Sequence, residues 1–218
     1  MSIVADIRAR FDRIESETRK AACYLAVSRA IYRVPNFARR WADSDLEYAM
    51  HYSRDSSHMA FVTTLAATYQ RKKGLITIPS LMSDLKESSV RHAIARDRGV
   101  TRSIVDADAL RAERTISRIL KLPISKGLKA LRDNVVAHHG RDDGHHGSTQ
   151  GPLNRLMIRT VVLVDQIGMA INGEPTATVA VVREVLQQAI ALWSLGIDGD
   201  PNGNLKGWFA SGSGDNAR

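Results

Sequence analysis

The chain has 218 residues, with 31 Lys and Arg against 23 Asp and Glu, a formal net charge of +8. Its 44% hydrophobic and 25% charged residues suffice for a sizeable core and exclude a disordered or collagen-like chain. The single cysteine, Cys23, excludes an internal disulfide and a multi-thiolate metal site.

Val4, Ile7, Phe11 and Ile14, continued by Ala21 and Leu25, keep a three-four spacing that predicts one apolar seam on a long first helix. Thr18 interrupts the seam, and Pro35 is expected to stop the helix near Arg33–Val34. Phe37 to Tyr52 predicts a second helical segment of poorer pattern. Ser57 reads as the cap of a further helix, with Met59, Val62, Leu65, Ala66 and Tyr69 on one side and Gly74 at its end. Leu75–Ile78 is the only β-like run and, cut short by Pro79, cannot found a sheet. A helix is expected to run from Pro79 or Ser80 to Asp97, with Gly99 as its stop.

Asp106 or Asp108 is expected to open a helix that reaches Leu122 and is closed by Pro123. On it Arg111, Arg114, Arg118 and Lys121 recur three or four apart as a basic stripe, opposite Ala112, Ile116, Ile119 and Leu120. Another helix is expected from about Ser125 to His138. Residues 139–151, HGRDDGHHGSTQG, carry four glycines and no apolar side chain, the composition of a mobile loop. Two apolar helices, about 153–171 and 176–195, flank a short turn at Gly173 and Pro175 and are expected to be antiparallel neighbours. The expected fold is all-α: one helical-bundle domain over residues 1–195 with a long N-terminal helix, followed by a flexible tail, 196–218, from which Trp208 and Phe209 can dock.

Residues 1–151 carry 26 bases and 17 acids, a net of +9, and residues 71–132 alone carry 15 and 6, again +9. A field so localised favours a polyanionic partner such as nucleic acid, through steering and counterion release; the alternative is a solvated basic face. The start of the chain, Met1–Arg8, shows no apolar run of the secretory kind. The strongest apolar run, Thr160–Val164, stops at Asp165, well short of the ~20 residues that span a bilayer. A cytoplasmic protein without a membrane partner is expected.

The stretch Leu131-Arg132-Asp133-Asn134-Val135-Val136-Ala137-His138-His139 places an arginine and a histidine at the end of a helix and the lip of a polar loop. A guanidinium binds phosphate through two N–H groups, and an imidazole with a pKa near ~6.5 moves a proton at neutral pH. Together they suffice to cleave RNA without a metal: the imidazole serves the 2′-hydroxyl or the leaving group, and the guanidinium steadies charge on phosphate. Asn134 is a second polar group at the same place. On an ideal helix Arg132 and His138 lie about 120° apart, whereas His139 falls within about 20° of Arg132. Either the helix ends before His138 or the working site draws on two chains. Against the catalytic reading stands a plain one, in which Arg132 and His138 are cations favoured at a helix C-terminus by its dipole.

The run L-R-D-N-V-V-A-H-H-G resembles the signature of the HEPN (higher eukaryotes and prokaryotes nucleotide-binding) family, in which an arginine, usually followed by a polar residue, precedes a histidine by four to six positions. Arg132, Asp133 and His138 match those positions, and Val-Val-Ala-His looks like the abortive-infection branch. The likeness is strongest over residues 125–140; the long first helix and two closing apolar helices fit a family bundle over most of residues 1–195. The resemblance implies a metal-independent endoribonuclease of toxin–antitoxin or antiphage-defence type. It further implies a homodimer whose two motifs meet in one cleft, and an antitoxin or defence protein as partner. Its alternative is a non-catalytic HEPN-like dimer that binds RNA, nucleotide or protein. Toxin members paired with nucleotidyltransferase antitoxins carry a tyrosine two residues after the histidine; Gly140 stands there in this chain.

On these readings Arg132, His138 and Asn134 form the catalytic set and Arg111, Arg114, Arg118 and Lys121 the RNA-binding set, with no cofactor. A rival metal site at His138, His139, Asp142, Asp143, His145 and His146 lacks a helical H-x3-H pair or a thiolate. Gly140, Gly144 and Gly147 also deny it a rigid backbone, so no metal is expected. The acidic run Asp198-Gly199-Asp200 lacks the closing glutamate of a calcium loop.

Overall fold

The structure, a computed structural model, describes residues 2–30, 33–34, 45–70, 74–137 and 150–198, giving the backbone alone for 45–50, 134–137, 150 and 192–198. The predicted seam lies where its spacing puts it: helix α1, Ile3–Ala30, buries Val4, Ile7, Phe11, Ile14, Ala21, Ala22 and Ala26 on one side. Thr18 continues the seam at 0% exposure, and its hydroxyl has no hydrogen-bond partner among the described residues. Its β-branched body therefore packs as a valine would, at the cost of a desolvated hydroxyl.

Helix α2 spans Asp45–Thr68 without a break, so the two expected segments there are one, and Ser57 stands inside the helix instead of capping it. No Pro or Gly falls within 45–68, and without a breaker a helix propagates through a poor stretch more cheaply than it nucleates anew. Nor does Gly74 end it. The Thr68 hydroxyl donates to the Leu65 carbonyl at 2.7 Å, and Tyr69 and Gln70 close with tighter three-residue bonds. Gly74, at φ +82°, belongs to the connector that follows.

Leu75–Thr77 forms no strand. Thr77, extended at φ −140°, caps helix α3, Ile78–Lys86, in a reciprocal pair with Ser80, and Pro79 occupies the first turn where its missing N–H costs nothing. The single helix expected up to Asp97 is two: Glu87, at φ −67° and ψ 124°, ends α3 and begins α4, Ser88–Arg98. The buried residues explain the break. Ile78, Leu81, Met82 and Leu85 keep three-four spacing, but the next buried residue is Val90, five on, which an unbroken helix would rotate about 140° away from Leu85. Gly99, at φ +65°, stops α4 as expected.

Helix α5 runs over Arg102–Leu120, a turn earlier than expected. Val105 is fully buried and extends the apolar series upstream, while Asp106 ties Arg91 of α4 at 2.7 Å instead of capping. Asp108, 6% exposed, lies inside the helix and accepts from Arg111 at 3.2 Å. Pro123 opens helix α6, Pro123–Ala137, and the Ser125 hydroxyl donates back to the Ile119 carbonyl at 2.7 Å, fastening the α5–α6 corner.

Helices α7, Gln150–Asn172, and α8, Thr178–Asp198, complete the order. α8 continues past Gly196, so three residues of the expected tail are helical; residues 199–218, with Trp208 and Phe209, and residues 138–149 lie outside the described residues. Among the described residues there are eight helices and no strand. α1 is the hub, packed by α2, α8 and α7, while α7 also packs on α5 and α2 on α6. The expected pairing of α7 with α8 is corrected: the main partner of α8 is α1. The 173–177 turn folds onto α7 instead, where the Thr176 hydroxyl and N–H both donate to Asp165. Gly168 gives the turn room, since a Cβ there would meet the Glu174 carbonyl at 3.0 Å and Phe11 at 3.2 Å. One contiguous buried cluster runs from α1 through α7, with Val182 of α8 against it.

Arg98 fastens the C-terminus of α7. Its Nη1 donates to the carbonyls of Met169 and Ala170, both at 2.9 Å, and Arg8 reaches Asp97 at 2.7 Å and Asn172 at 3.3 Å from the other side. The Arg98 bonds are charge-assisted and reach carbonyls of the last helical turn, of which Met169's also accepts from the Gly173 N–H. Arg98→Ala is expected to cost about 1–3 kcal/mol of stability, read as a lower urea midpoint at an unchanged slope. An unaltered midpoint would show that water replaces the guanidinium without loss.

Candidate nucleic-acid interface

The predicted stripe on α5 is on the surface. Arg111, Arg114, Arg118 and Lys121 are all exposed, and Ala112, Ile116 and Ile119 are buried on the other side. The four positions fall within about 80° of arc and span about 15 Å of helix axis. Their charges are not equivalent. Arg111 is bound to Asp108, so part of its field is cancelled, whereas Arg114, Arg118 and Lys121 have no ion pair among the described residues.

The stripe continues into α6. Between Arg114 and Arg132 the chain carries six basic residues, Arg114, Arg118, Lys121, Lys126, Lys129 and Arg132, and no acidic one. Lys126 and Lys129 are exposed and, like the three α5 bases, unpaired among the described residues; Leu128 is 2% exposed and holds α6 to the core, with Ile124 and Leu131 packed partly against it. The corner fixed by Ser125 sets these exposed α6 lysines directly after the α5 stripe in the chain. Sequence reasoning stopped at the α5 stripe and missed Lys126 and Lys129; the signal that finds them is the missing acid, not a periodicity.

Arg132 lies one turn beyond Leu128 on α6, its side chain 24% exposed. Its Nε and Nη2 donate to one carboxylate oxygen of Asp133 at 2.9 and 2.5 Å. A guanidinium has five N–H donors in a planar fork, so this pairing occupies one edge and leaves three donors for a phosphate. Asn134 lies on α6 with its backbone alone described, and His138 and His139 lie outside the described residues. α6 is helical as far as Ala137, the residue before His138. On α6 Lys129 and Arg132 lie about 60° apart and Lys126 and Arg132 about 120° apart, so Arg132 follows the two lysines around the helix and does not share one line with them.

Asp142, Asp143, His145 and His146 also fall outside the described residues, within which no group of three or more His, Cys, Asp or Glu side chains is arranged to hold a metal. Cys23 is half-buried on α1, and burial pushes its thiol pKa up, which lowers the thiolate fraction and fits a packing role. No helix of the described residues is long and apolar enough to cross a membrane. Compared with known proteins, the chain matches no protein-family model, no curated protein and no solved structure.

Proposed function

We propose that this chain is an HEPN-like, metal-independent endoribonuclease, which holds RNA along the α5–α6 surface and cleaves it at the Arg132–His138 motif. The observation that supports RNA binding is the acid-free run of exposed, unpaired bases from Arg114 to Lys129, followed by the partly buried Arg132. Such a surface meets a phosphate backbone without a repelling carboxylate. Support for cleavage comes from the resemblance of residues 131–140 to the HEPN signature. In this reading His138 is the general acid or base, Arg132 the phosphate clamp and Asn134 an auxiliary polar group. The molecule works as a cytoplasmic homodimer of toxin or antiphage type, held in check by an antitoxin or defence partner.

A second reading, a non-catalytic HEPN-like module that binds RNA, nucleotide or protein, is favoured by one observation: Asp133 already occupies an edge of the Arg132 guanidinium. RNA incubated with the full chain, with and without EDTA, decides between them. Cleavage that persists in EDTA, from a species that light scattering finds dimeric, is the expected result. RNA retained but intact selects the interaction module, and neither binding nor cleavage retires both.

A further inference from the structure

Beside the basic surface, α3 and α5 leave a cleft of about 420 Å³ between them. Its walls are apolar: Pro79 and Met82 from α3, Ile116 and Leu120 from α5. Its polar groups divide into two kinds. Thr77 and Ser80 are committed to the cap of α3, whereas Ser83 and Ser117 are exposed on the cleft and hydrogen-bond to nothing among the described residues. The two ends differ in charge. At one, Lys86 is neutralised by Glu113 at 3.1 Å; at the other, Lys121 stands one turn, about 6 Å, beyond Ser117 on the same face, and is unpaired among the described residues.

We infer that this cleft seats one unstacked nucleobase of the bound RNA, with the flanking phosphate on Lys121. The inference rests on the RNA reading and deepens it. A cleft with apolar walls and a few free polar groups, within the size range of small-molecule sites, suits a flat ring with hydrogen-bonding edges. Met82, 3% exposed and part of the core, gives the cleft a fixed apolar floor. Ser83 and Ser117 each both donate and accept, so they meet the edge of any base; the site selects an unstacked base over a paired one, not one base over another. The neutral Lys86–Glu113 end gives a phosphate no reason to bind there, and the free charge at Lys121 orients the nucleotide.

The test is the double variant Ser83→Leu/Ser117→Leu, which fills the cleft from both walls at exposed positions where the helices need not move. Single-stranded RNA carrying 2-aminopurine is titrated by anisotropy and by the base's own fluorescence, with the free 2-aminopurine ribonucleotide as a separate arm. The wild-type chain is expected to change the fluorescence of the RNA, and the variant to abolish that change. Its RNA affinity should fall about tenfold, the worth of one seated base, with the salt slope unchanged because no phosphate contact is lost. A response to the free nucleotide as strong as to the RNA would overturn the assignment to a strand and leave a nucleotide pocket. RNA bound by both proteins with identical fluorescence overturns the cleft assignment alone and leaves the RNA reading standing. No RNA binding by the wild-type chain removes the RNA reading, and the cleft assignment with it.

Discussion

His138→Ala is expected to lower RNA cleavage by about 10²–10⁴-fold, the usual cost of losing a general acid–base group, and Arg132→Ala by about 10²–10³-fold, that of losing a donor to developing charge, while the helical signal and the dimer persist. Arg132 is 24% exposed and lies one turn beyond the buried Leu128 on α6, so the urea midpoint of Arg132→Ala is measured beside its activity, and a loss of cleavage at an unchanged midpoint reads on chemistry. Attack by the 2′-hydroxyl leaves a 2′,3′-cyclic phosphate and a 5′-hydroxyl, and end-group analysis of the products checks this directly. His139→Ala resolves the spacing: if the α6 rotation carries on past Ala137, His139 shares the Arg132 side and its loss is the more severe. Asp133→Asn completes the set. It removes the carboxylate that holds Arg132 and should leave cleavage intact or raise it, because the freed fork edge is available to phosphate. A strong loss in Asp133→Asn would mean that the carboxylate positions the guanidinium. Activity that survives His138→Ala and dies in EDTA would turn attention to the His/Asp stretch at 142–146.

Reversing Arg114 and Arg118 to Glu is expected to weaken RNA binding across all sequences. By counterion release, each lost phosphate contact to a single strand takes about 0.7 from the slope of log affinity against log salt. Two contacts therefore lower the slope by about 1.4 and the affinity by roughly 60-fold at about 50 mM salt. Both side chains are exposed and unpaired among the described residues, so the melting midpoint should move little. Arg111→Glu is the internal comparison: its guanidinium already faces the Asp108 carboxylate at 3.2 Å, so its loss should cost RNA affinity less than that of Arg114 or Arg118. Equal affinity and equal salt slope in the double variant would show the stripe to be a solvated face.

The sequence by itself determined that the chain is helical throughout its described core, because apolar residues recur at three and four along α1, α5 and α7, and Leu75–Ile78 is too short for a sheet. It placed the exposed stripe on α5 for the same reason: one period fixes both the buried Ala112, Ile116 and Ile119 and the side facing away from them. It also found Pro79 in a first turn and Gly99 at a helix end, where local sterics decide. The motif at Arg132 was legible as a string of residues, but its pairing with Asp133 was not, since a rotamer is chosen by what surrounds it.

Only the tertiary structure decided how the helices divide and which of them meet. The break at Glu87 lets Leu85 and Val90 face one core, whereas an unbroken helix would turn them about 140° apart. α8 lies on α1 and not on its neighbour in sequence, although the 173–177 turn between them is bound down on α7 through Asp165, with room made by Gly168. The cleft between α3 and α5 arises in the same way, from two helices whose apolar faces are each readable but whose separation is set by the side chains packed beneath them. Periodicity is a property of one helix, whereas partnership depends on shape and on every other face already filled.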